Sequence, residues 1–139
     1  MRKKKKWNRV DWREAPEIKL RVKKLIKSLQ LDWLPTNRIF CMRSSNSSSR
    51  AYARIWGLSR VWQMALEIKP AYIIEVLSNR FDKLSKKEQD KVLLHELVHI
   101  PKNFSGSLMP HVRRKGERNF EKRVRELFHI YLKYAGKAG

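Results

Sequence analysis

The chemistry-bearing residues of this chain stand together in His95-Glu96-Leu97-Val98-His99. The two histidines are four positions apart. On an α-helix they lie about 40° apart on one face, one above the other. Two imidazoles stacked in this way can bind one small cation. Glu96 is rotated about 100° from His95, which suits a base beside the metal rather than a ligand. H-E-x-x-H on a helix is a zinc-binding pattern with its own general base, and the chemistry it offers is hydrolysis.

The surrounding residues supply the helix that this chemistry needs. Ser85 and Glu88 form an S-x-x-E capping box that predicts a helix start. Pro101 predicts its end, because the residue before a proline is pushed out of the α region. The expected helix therefore runs over 86–100, with both histidines in its last turns. Leu93, Leu97 and Ile100 lie opposite them, and Leu94 and Val98 fill one flank. A helix apolar on most sides except for one His/His/Glu patch is a buried helix with a polar site in it. The plainer reading is a pair of core histidines held by hydrogen bonds. Burial of the patch costs free energy unless something pairs it, and a zinc ion would.

Length and composition bound the rest. At 139 residues the chain is expected to form one domain, residues 11–135, preceded by a basic arm at 1–10. It carries 33 Lys and Arg against 13 Asp and Glu, a net charge of +20. Such a field attracts phosphate polymers and anionic surfaces. An apolar fraction of 42% argues against general disorder. Cys41 is the only cysteine, so neither an internal disulfide framework nor a cysteine-rich metal site is available. No apolar run approaches the roughly 18 residues of a membrane span. The Lys-rich N-terminus lacks a following apolar segment, so it is not read as a secretory signal, and a cytoplasmic location is expected.

Along the chain, 12–30 reads as an amphipathic helix, with Ile18, Val22, Leu25, Ile26 and Leu29 on one stripe and a basic opposite face. Arg38–Arg43 reads as a strand. The segment Ser44–Ser49 is a polar loop, and Ala51–Gly57 a second strand. In Val61–Leu66, Trp62, Met64 and Leu66 alternate, which fits a third strand or a helix. Ala71–Leu77 is the clearest strand. A loop with Gly106 and Pro110 follows Pro101, then His111. Glu117–Tyr134 reads as a final helix with Phe120, Val124, Leu127, Tyr131 and Tyr134 on its apolar stripe, and His129 facing away from it. The expected fold class is α+β: a helix, a three- or four-stranded mixed sheet, the active-site helix and a C-terminal helix.

In this order the chain resembles a minimal zincin metallopeptidase. More closely, Arg54–His111 resembles the SprT-like proteases and the related HExxH metallopeptidases of archaea and phages. The matching stretches are Ala53–Leu58, Tyr72–Leu77, and His95–Pro101 with Gly106 and His111, about half the chain. The resemblance implies a zincin-like mixed sheet with the metal helix beneath it. It also implies an edge strand, assigned to Val61–Leu66, that receives a peptide as an extra strand. The additional zinc-binding modules of larger SprT-like proteins have no counterpart here.

A catalytic zinc takes three protein ligands and keeps one position for water. His111, twelve residues past His99, is the expected third ligand, because the intervening loop can turn back. The alternative is a carboxylate of the last helix, Glu117 or Glu121. The metzincin spacing fails, since the position six past His99 is Ser105. Glu96 then acts as base toward the water and as acid toward the leaving amine. Arg113, Arg114 or a tyrosine is expected to steady the oxyanion. Seven of the fifteen residues in His111–Arg125 are Lys or Arg and two are acidic. A basic surface near the cleft, and with it a nucleic-acid partner, is therefore expected. The competing function is a nucleic-acid-binding protein with a structural zinc. Against it, a structural site needs no base such as Glu96 and normally wants a fourth ligand. A nuclease would normally want clustered carboxylates and two metals.

Overall fold

The computed structural model describes residues 9–110 and 115–138, with side chains in the last helix described for 119–135. The elements are β1 (Asp11–Glu14), α1 (Pro16–Ser28), β2 (Ile39–Ser45), β3 (Ala53–Gly57), α2 (Arg60–Leu66), β4 (Tyr72–Leu77), α3 (Ser78–Phe81), α4 (Lys86–Val98) and α5 (Lys115–Ala138). A 3₁₀ turn at Thr36–Arg38 leads into β2.

The four strands form one sheet in the order β1-β2-β4-β3. β2 and β4 run parallel, and the two outer strands are antiparallel to their neighbours. The fold is thus α+β with a mixed sheet, as expected. Register decides the two faces. Ile39, Cys41, Tyr72, Ile74 and Val76 point inward and pack with Ile18, Val22 and Leu25 of α1 and Leu93, Leu94 and Leu97 of α4. Their alternates Phe40, Ile73 and Trp56 stand in one cross-strand row on the opposite face and are exposed.

Three elements differ from the sequence reading. Residues 11–14 are a strand rather than the start of the first helix. Pro16 sits at the beginning of α1, and a proline there disfavours helical geometry in the residue before it. The ladder continues past β1, with the Ala15 N–H donating to the Cys41 carbonyl at 3.0 Å.

Val61–Leu66 is a helix, not the edge strand. The sheet's edges are β1 and β3, and Val61–Leu66 pairs with neither. Arg, Gln, Met, Ala and Leu also favour a helix. Glu67, in the left-handed region at φ 52°, ends it. In α5, Phe128 rather than Tyr134 completes the buried stripe with Phe120, Val124 and Tyr131.

The basic face of α1 is partly structural. Arg21 grips Asp90 of α4 through Nε at 3.0 Å and Nη2 at 2.6 Å, and donates to Gln89 at 2.8 Å. This tie fixes α4, the helix of the histidines, to α1. Ser85 caps α4 as expected, its Oγ accepting from the Glu88 N–H at 3.2 Å. Among the described residues, no helix is long and apolar enough to cross a membrane.

Candidate metal centre and its supporting loop

α4 brings His95, Glu96 and His99 to its C-terminal end. The helix is assigned to Val98, and His99 keeps helical angles as its C-cap (φ −68°, ψ −16°), so the one-turn relation between the histidines is preserved. Their ring centroids are 5.0 Å apart. Glu96 and His99 are both buried, His95 partly so. Burial pushes the Glu96 carboxyl up, to about 8. A cation beside it would oppose that shift, because an opposite charge favours the ionised form.

Phe120 of α5 lies against both imidazoles, with centroids 5.1 Å from His95 and 4.5 Å from His99. It closes one side of the site with an apolar wall. No spacing rule in the sequence announces this residue; its place on the apolar stripe of α5 was the only signal.

The loop Pro101–Pro110 fixes the second histidine. His99 Nδ1 is 2.6 Å from the Met109 carbonyl oxygen. A carbonyl only accepts, so Nδ1 carries the proton and Nε2 keeps its lone pair. That tautomer is the one a metal-binding imidazole needs, with its second nitrogen oriented by a backbone acceptor. The Met109 N–H returns a bond to the His99 carbonyl at 2.8 Å.

The loop is in turn anchored to the sheet. The Tyr72 hydroxyl accepts from the Gly106 N–H at 2.8 Å and donates to the Ser107 carbonyl at 2.7 Å. Gln63 of α2 donates to the carbonyls of Leu58 at 2.7 Å and Ser105 at 2.8 Å. Gly106 has φ +96°, and a Cβ on Gly57 would stand 2.1 Å from the Gly106 oxygen. Only glycine fits either position. The chain from β3 and β4 through this loop to His99 was not readable in sequence, because its contacts span more than thirty residues.

The other expected site residues divide. His111, Arg113 and Arg114 lie outside the described residues, as does the side chain of Glu117. Glu121 is exposed, and so is His129, as its position opposite the stripe implied. Among the described residues no group of three His, Cys, Asp or Glu side chains gathers around one point. Among the tyrosines, Tyr72 has its hydroxyl engaged with the loop backbone at Gly106 and Ser107. The donor set that is described, two imidazoles with one tautomer fixed and a carboxyl beside them, fits a borderline-soft divalent cation such as zinc.

Among known families, the one described as putative phage metallopeptidase matches residues 10–137. Neither the comparison with curated proteins nor that with solved structures gives a match.

Proposed function

The chain belongs to the putative phage metallopeptidase family, and from that premise we propose that it is a zinc-dependent peptidase whose site is His95, Glu96 and His99, completed by His111. The observation that carries the proposal is the Met109 carbonyl held 2.6 Å from His99 Nδ1. That bond makes Nε2 the donor atom of the neutral imidazole, as a metal ligand oriented by a backbone acceptor requires.

His95 and His99 would hold the ion through ring nitrogens on one face of α4. His111 is the third ligand in this proposal. Glu117 is the competing one, since it precedes Phe120 by three positions on α5, and the ring of Phe120 touches both histidines. The exposed Glu121 is a weaker candidate than either. When bound, zinc supplies Lewis acidity and brings the pKa of a water near neutrality. With the ion in place, a carboxylate oxygen of Glu96 would take up a proton from the attacking water and deliver it to the leaving amine nitrogen. Its burial keeps bulk water from competing for the proton. Arg113 or Arg114 is the donor proposed for the oxyanion.

The peptide would lie along β3. That strand is one of the two sheet edges, and α4 packs against it. It takes the role that the sequence reading gave to Val61–Leu66. Main-chain hydrogen bonds along a free strand edge bind an extended peptide with little sequence preference. The net charge of +20 supports a further element of the proposal: salt-dependent association with DNA or RNA that brings the peptidase to proteins already bound there, in keeping with the SprT-like resemblance.

Zinc content per chain tests the site. Wild type is expected to hold about one zinc, and His95→Ala and His99→Ala to lose it. His111→Ala is expected to weaken zinc binding while Glu117→Ala leaves it nearly unchanged; the reverse result moves the third ligand to Glu117. Full zinc in both His95→Ala and His99→Ala would end the proposal.

A further inference from the structure

The sheet has two faces, and the metal site uses only the one packed against the helices. The other face is open and carries an unusual set of side chains. Trp12, Phe40 and Trp56 are each 45–46% exposed on it, and Trp62 of the adjoining α2 is 58% exposed. Together with Ile73 and Ile68 they line a shallow groove of about 790 Å³. Large rings left in water over a contiguous area mark a binding surface rather than ordinary surface scatter.

Arginines are interleaved with these rings. Arg54 lies over Trp56 at 5.1 Å and Arg38 over Phe40 at 6.0 Å. Each guanidinium is held in place by an acceptor and keeps further N–H donors for a ligand. Arg38 donates to the Pro70 carbonyl at 3.1 Å and the Lys69 carbonyl at 2.6 Å.

The carboxylate at the centre of the face, Glu75, is fully buried. It accepts from Arg54 at 2.6 Å, Trp56 Nε1 at 2.8 Å and Ser44 Oγ at 2.5 Å. Its charge is therefore compensated within the sheet and does not repel an anion above it. The same bonds orient Trp56 and Arg54 as rigid parts of the surface.

We propose that this open face is a stacking platform for single-stranded nucleic acid. Bases would lie on Trp12, Phe40, Trp56 and Trp62, and phosphates would meet Arg38 and the exposed Arg60. Fixed aromatic rings with cations between them satisfy both halves of a nucleotide, and stacking tolerates any base. A purely apolar occupant, such as a lipid chain or the stripe of a helix, would have to dehydrate the guanidinium groups without compensating them. A duplex keeps its bases stacked inside and cannot use the rings. The proposal rests on the nucleic-acid element of the function above and gives it a location, on the far side of the sheet from His95 and His99.

The test is fluorescence anisotropy with labelled oligo(dT) and with a labelled duplex, for the full chain and for Phe40→Ala and Trp62→Ala. Neither of these side chains makes a hydrogen bond in the structure, and matching urea midpoints will show that both variants fold. Each variant is expected to bind oligo(dT) at least about fivefold more weakly than wild type, the low end of measured base–aromatic stacking. Duplex affinity and the salt slope on oligo(dT) should not change. Arg38→Gln should instead lower that slope by roughly one phosphate contact. Wild-type affinity for oligo(dT) in both aromatic variants would overturn the platform while leaving nucleic-acid association standing. No binding of either probe by wild type at low salt would remove both. A parallel arm with phosphatidylglycerol vesicles gives the remaining outcome: loss of vesicle binding in Trp62→Ala with oligo(dT) affinity intact would assign the face to membranes and overturn the proposal.

Discussion

Removing one oxygen atom, in Tyr72→Phe, tests whether the loop before residue 111 is a built part of the site. The Tyr72 hydroxyl joins β4 to the loop through the Gly106 N–H at 2.8 Å and the Ser107 carbonyl at 2.7 Å. The ring is fully buried and packs edge-on against Phe104 with centroids 4.8 Å apart. Phenylalanine keeps that packing, so the loss is confined to two hydrogen bonds. Each contributes about 0.5–1.5 kcal/mol net, and Gly106 is buried, so its N–H is left without an acceptor. The expected destabilisation is about 2–3 kcal/mol, in the upper part of that sum. With a urea m-value of about 1–3 kcal/mol/M, the midpoint should fall by about 1 M with m unchanged. The measurement is tryptophan fluorescence during urea unfolding in the presence of EDTA, which removes any contribution from metal binding. A second titration, of zinc onto the folded protein, reads the effect at His99. Loss of an outer-shell partner typically weakens metal affinity by about 10–100-fold, and Tyr72 acts through Met109, so the low end is expected. A midpoint within about 0.2 M of wild type, a small fraction of that shift, would refute the anchoring role of the hydroxyl.

Other outcomes follow from the sheet. Burial pushes the Glu75 carboxyl up, but hydrogen bonds from Arg54, Ser44 and Trp56 and the charge of Arg54 outweigh it, and the group sits below the usual carboxylate range. Its folded pKa is therefore lower than its unfolded one. The stability it contributes is present above the unfolded value of about 4.3 and fades as pH falls toward the folded value. Glu75→Gln should cost about 1.5–3 kcal/mol at neutral pH, and the gap from wild type should narrow in acid; a gap that is the same at both would contradict the charge-based account. Burial pushes the Cys41 thiol up to about 11, so the native protein should resist iodoacetamide at mildly alkaline pH and react in denaturing urea. Rapid alkylation of the folded chain would contradict its burial.

What could be read in the sequence was what local spacing encodes. The helix of the histidines was legible because its start, its end and its chemistry all lie within Ser85–Pro101, and the capping bond forms as expected. β2, β3 and β4 were legible from short apolar runs, with boundaries shifted by one or two residues. β1 was hidden because four exposed residues, Asp11–Glu14, offer no alternation to detect. Val61–Leu66 was ambiguous because its apolar residues are exposed in either geometry, and only the sheet order settles it. The buried Glu75 could not be found in sequence, since its partners Ser44, Arg54 and Trp56 come from two other strands. The same holds for the pairing of Arg21 with Asp90, which are 69 positions apart in the chain. The support of His99 by Met109 depends on a loop seated by Gly57, Tyr72 and Gln63, and none of these contacts is local.

Glu96→Gln tests the proposed role of Glu96 as the group that moves the proton in a metal-dependent peptide hydrolysis. The substitution keeps the size and planarity of the side chain and removes its basicity. Zinc content and casein hydrolysis are measured on the same preparation. The variant is expected to hold about one zinc per chain, as in wild type, with hydrolysis reduced at least about a hundredfold. Wild-type hydrolysis by a zinc-loaded Glu96→Gln protein would contradict it.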